Sequence, residues 1–85
     1  RSHAEARVQM GKGAEEMHRG AEEMRREAVR LRDPAYRAEV IVRNREQGHT
    51  TTDAELIALS PRLIERAGEL DRRAVELAAR ARGAA

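Results

Sequence analysis

Bulky apolar residues recur at every seventh position from Met10, at Met17, Met24 and Leu31, and Ala14, Ala21 and Ala28 stand three residues before the last three. The far half repeats the arrangement, with Leu56, Leu63, Leu70 and Leu77 alternating with Ser60, Ala67, Ala74 and Ala81. Apolar positions three and four apart share one face of a helix, and a seven-residue recurrence carries that face along the helix as a seam. Large at one seam position and tiny at the other, the two halves predict helices whose axes approach to about 8 Å. GAEEMHR at 13–19 is followed by the near-copy GAEEMRR at 20–26, so the period itself is the constrained feature.

Cap residues bracket these helices. Ser2 with Glu5 and Thr52 with Glu55 both have the form of a capping box, while Gly48 and Gly83 stand where helices stop. Gly11 and Gly13 weaken the opening turns by about 1 kcal/mol each relative to alanine. Asp33-Pro34 reads either as an N-cap and first residue opening a new helix or as a kink within one long helix. Carried through the proline, the seam meets Ala35, Ala38 and Val42, and downstream of Ser60-Pro61 it also keeps its phase. The expected architecture is therefore all-α: an antiparallel helical hairpin, an alanine-rich coiled coil, bent or briefly broken near 34 and 61. Its single domain spans 1–85, with arm one about 4–47, a turn at 48–52 and arm two about 53–82. Residues 1–3 have the look of a cloning remnant.

A hairpin turning near residue 49 predicts which residues face each other. Large meets small if Leu31 faces Ala67, Ala28 faces Leu70, Met24 faces Ala74, Ala21 faces Leu77 and Met17 faces Ala81. Nearer the turn the same alignment sets Val42 on Leu56, Ala38 on Ser60, Ala35 on Leu63 and Arg45 on Asp53. Glu27 then lies near Arg73, Arg25 near Asp71 and Ile41 near Leu59. Shifting the pairing by one heptad in the direction that moves the turn into the second capping box preserves the alternation but places Ile41 beside Arg66, and is rejected.

Tyr36, Val40, Ile41, Ile57, Leu59 and Ile64 lie on or beside the seam's flanks in the half nearest the turn, an apolar surplus beyond what one hairpin covers. Such a surplus marks an association surface. A second copy would cover it as a four-helix homodimer, another helical protein would do so equally, and a bent middle helix folding back is the intramolecular alternative.

Composition adds limits. With one aromatic residue and no cysteine in 85 residues, the chain buries a thin core that no disulfide can staple, which turns attention to association as a source of stability. A cysteine-free chain fits an intracellular protein, and the expected location is cytoplasmic. The 17 basic residues, 16 of them arginine, face 15 acidic ones and are mixed with them in every segment, so no basic tail marks a nucleic-acid footprint. No apolar run is long enough to span a membrane.

Three constellations invite chemistry, and each has a plainer account. Glu15, His18 and Glu22 contain the Glu-x-x-His spacing of di-iron bundles, but they sit off the seam with no second motif. His49, Thr50, Thr51, Thr52 and Asp53 gather hydroxyls, an imidazole and a carboxylate at a turn, where capping explains them and no pocket excludes water. Residues 40–57 faintly suggest a helix-turn-helix, but Asp53 and Glu55 would meet the phosphates. A gentler nucleic-acid reading uses Arg66, Arg73 and Arg80, one heptad apart, although Glu69 and Glu76 stand four residues before the last two. No catalytic residue, metal or cofactor is expected.

Size and outline are similar to those of the small secreted helical hairpins of the WXG type. This chain has no tryptophan, and Gly48-His49-Thr50 occupies the turn, so no property is carried over. The function expected is a non-catalytic protein-protein interaction or oligomerisation module, with a nucleic-acid-binding accessory protein as the alternative.

Overall fold

Each helix starts on a residue whose side chain satisfies an otherwise orphaned backbone N–H. In the computed structural model, which describes residues 2–83, helix α1 spans His3–Arg30, α2 spans Pro34–Glu46 and α3 spans Asp53–Ala81. Glu5 N donates to Ser2 Oγ at 3.2 Å, Ala35 N to Asp33 Oδ1 at 2.9 Å and Glu55 N to Thr52 Oγ1 at 3.1 Å. Ser2 and His3, read from the sequence as a remnant, thus cap and open α1. Gly48 and Gly83 both adopt positive φ, 84° and 85°, the left-handed conformation that glycine takes at helix ends without steric cost.

The stem is α1 packed antiparallel on α3. Its buried residues are Ala14, Ala21 and Ala28 of α1 and Leu56, Ser60, Ala67 and Ala74 of α3, the small members of the seam with one leucine. Met10, Met17, Met24, Leu63, Leu70 and Leu77 are half-buried beside them. Small residues at the centre bring the backbones together, and the long side chains close over the sides. Gly13 and Gly20 share in this approach: a methyl at either would lie 3.3 Å from Leu77 Cδ2 or Leu70 Cδ2.

Pairing differs from the expected alignment. Leu77 meets Gly13 and Leu70 meets Gly20, where Ala21 and Ala28 were expected, and Gly11 lies beside Ala81 in place of Met17. Ser60 Oγ donates to Ala28 O at 2.6 Å. The whole of α1 is displaced by about one heptad relative to α3, a shift that keeps large against small and so costs the seam nothing.

The displacement has its cause at Asp33-Pro34. α1 ends at Arg30, Leu31 caps it, and α2 sets off afresh from Asp33, so the seam does not run through the proline. Ala35, Ala38 and Val42, expected in the seam, are exposed. Instead α2 turns inward the face bearing Arg37, which is buried, with Val40, Ile41 and Asn44, which are half-buried. Pro61, by contrast, leaves α3 unbroken. The reversal of the chain therefore occupies all of residues 31–52, with α2 as part of the connection.

Candidate interaction surface

Polar locks fix the tip. Arg37, 9% exposed, donates from Nε to Asp53 Oδ1 at 2.7 Å and from Nη1 to Leu31 O at 2.8 Å, tying α2 to the cap of α1 and the first residue of α3. Asp53 was expected to face Arg45; Arg37 takes that place because α2 is re-phased. Tyr36 Oη donates to both oxygens of Glu27, at 2.8 and 2.9 Å, and Arg43 lies over the Tyr36 ring. Glu27 is thereby engaged by α2 and by Arg30, and not by Arg73. Asn44 Nδ2 donates to Thr51 Oγ1 at 2.8 Å, so the turn threonines serve structure.

These locks dispose the six apolar residues of the expected surface on two sides. Tyr36, Val40, Ile41 and Leu59 are half-buried, whereas Ile57 and Ile64 are 52% and 42% exposed. Two residues along a helix is a rotation of about 200°, so Leu59 and Ile57 point to opposite sides of α3. Ile57 and Ile64 belong instead to a second stripe: Ile57, Pro61, Ile64, Gly68 and Val75 lie within a sector of about 60° on α3. Val75 is 59% exposed, and Pro61 is exposed too. The stripe was not read as such from the sequence, although its spacing of four, three, four and seven residues was there to find.

At the tip end, Leu31, Arg32, Arg37, Ile57, Ser60 and Pro61 surround an open hollow between α3, α2 and the connection that follows α1. Farther down the stem His18 and Arg25 of α1 both bond Asp71 of α3, His18 Nδ1 at 2.7 Å from Oδ1 and Arg25 Nη2 on Oδ2. Arg25 beside Asp71 is the pair expected; the arginine's length bridges the altered alignment. Hydrogen bonds from Arg25 first and His18 second hold the Asp71 carboxyl below its ordinary range.

The remaining candidates are dispersed. His18 is taken up by Asp71, and among the described residues no three His, Asp or Glu side chains gather as a metal site. Glu22 pairs with Arg26 at 3.2 Å. Arg66, Arg73 and Arg80 are exposed along α3, and Glu69 sits with the first two around a shallow hollow that Met24 and Leu70 also line. Among the described residues, no helix is long and apolar enough to cross a membrane. Compared with protein-family models, curated proteins and solved structures, the chain matches none.

Proposed function

We propose that the protein is a non-catalytic interaction module, a coiled-coil-like helical hairpin that associates through the exposed stripe on the flank of α3. One observation carries this reading. Ile57, Ile64 and Val75 are exposed by 42–59% and aligned with Pro61 on one face of a long helix whose core face is already occupied by α1. Scattered apolar residues need no explanation, but an aligned row on a continuous helix is the signature of helix-to-helix docking. The half-buried Tyr36, Val40, Ile41 and Leu59 stand outside this stripe and support the tip.

The nucleic-acid reading through Arg66, Arg73 and Arg80 has less in its favour, because Glu69 places a carboxylate between the first two, where phosphates would approach.

Replacing Ile57 and Ile64 together by glutamate tests the proposal. Helicity by circular dichroism should be kept, and the unfolding free energy at concentrations dilute enough for the parent to be monomeric should stay within about 0.5 kcal/mol per site, as for exposed positions, while association measured by sedimentation at higher concentration is lost. If the double variant unfolds as a core substitution does, the stripe belongs to the fold and the proposal fails.

A further inference from the structure

Gly11 and Gly68 are the two glycines that neither a close neighbour nor a positive φ accounts for, and of these Gly68 lies on the stripe. Gly13 and Gly20 face leucines 3.3 Å away, and Gly48 and Gly83 take positive φ. Gly68 lies inside α3, and an added methyl there would meet Arg72 Nη1 at 3.6 Å, an ordinary contact with a flexible group. A glycine within a helix is disfavoured relative to alanine, and at Gly68 the missing side chain leaves room for a close approach from outside the protomer. It sits on the stripe of Ile57, Pro61 and Ile64, where an approaching helix would arrive.

Resting on the interaction reading above, we propose that the occupant is a second copy of this chain, with the two α3 helices antiparallel across a two-fold axis near residues 62 and 63. In that alignment Ile57 of one copy fills the gap over Gly68 of the other, and Ile64 lies against Pro61. The set Ile57, Pro61, Ile64, Gly68 reads large, small, large, small in one direction and the reverse in the other, so this part of the stripe is its own complement, as an isologous contact demands, while Val75 lies beyond the start of the partner's α3.

Shape supports a second copy of equal size. The radius of gyration is 17.4 Å, against about 12 Å for a compact chain of this length. The accessible surface is 6357 Å², against about 5,000 Å² for a compact monomer of 9.5 kDa. That excess exceeds the roughly 800 Å² each partner gives to a standard interface. Along the stem α1 and α3 form one layer of two helices, and a two-fold through α3 places a second such layer beside it, a four-helix arrangement.

Sedimentation equilibrium of the full chain, at concentrations up to ~1 mM, tests the pairing. Ile57→Ala alone and Gly68→Leu alone should each weaken dimerisation by about tenfold or more, the first by emptying the gap and the second by filling it. Combined in one chain, I57A and G68L exchange knob and gap and should recover dimerisation to within a few fold of the parent. A parent that stays monomeric overturns the second copy as occupant; if the Ile57 and Ile64 glutamate variant is meanwhile folded and stable, the interaction reading stands with a different partner. A double variant whose losses multiply overturns this alignment.

Discussion

The stem and the tip of this hairpin are held by opposite means. Along the stem, Ala14, Ala21, Ala28, Ala67 and Ala74 are at most 3% exposed and Gly13 and Gly20 adjoin them, so the backbones themselves supply the packing. At the tip the buried residues are Leu31 and Arg37, with Leu56 and Ser60 where the stem meets it, and named hydrogen bonds set the geometry. A repetitive apolar seam gives adhesion without position, and a few polar contacts give position with little adhesion. The molecule needs both: most of the polar contacts gather at the tip, and His18 and Arg25 on Asp71 supply one within the stem.

The largest expected effect separates the two regions by size tolerance. Ala67→Leu in the stem forces a bulky group where the helices touch, and Leu31→Ala at the tip empties the site of the largest fully buried side chain. Each should cost about 2–4 kcal/mol in denaturant unfolding, the first from overpacking and the second from a cavity. Equal tolerance of Ala67→Leu and an exposed control such as Ala58→Leu would break the account of the stem.

A smaller effect tests position at the tip. Arg37→Met keeps the aliphatic stem but leaves Leu31 O without its donor, while Asp53, more than half exposed, returns to water. Stability should fall by about 1–3 kcal/mol, the cost of the stranded carbonyl. Hydrogen exchange should speed most in α2 if Arg37 fixes that helix, and uniform acceleration over α1 and α3 would contradict this role.

The smallest effect comes from acid. Arg25 and His18 favour ionised Asp71, so its contribution is complete above the ordinary carboxylate range and disappears as pH falls through that range into the depressed value of the folded protein. Thermal unfolding of the parent and of Asp71→Asn should therefore differ at pH 7 and converge toward pH 3. A gap of constant size across that interval would show that the charge on Asp71 is not what Arg25 and His18 recognise.

Caps, helices and the large-small seam were legible in the sequence because each depends on neighbours in the chain. Ser2, Asp33, Thr52, Gly48 and Gly83 all act as their local chemistry indicates. Alignment of α1 on α3 was not legible, since a seam repeating every seven residues scores equally after a shift of seven. The apolar run Ala35, Ala38, Val42 imitated a continuation of the seam across Pro34, and only tertiary contacts reveal that α2 is rotated. Arg37 could not be distinguished from fifteen other arginines by type; burial is what singles it out. For the candidate surface, Ile57 and Ile64 were visible as surplus, but their separation from Leu59 and from α2 followed from the rotation that the sequence hid.

Tolerance of insertions is consequently inverted in this molecule. Surface connections are ordinarily where added or deleted residues do least harm, yet here residues 31–52 are the spacer that selects one among several equally good matings of α1 and α3. A residue removed between Arg30 and Asp53 would leave every stem contact chemically possible and still deny the arms their common alignment, whereas about seven residues removed from the free end of each arm would shorten the stem by two turns and leave the mating intact.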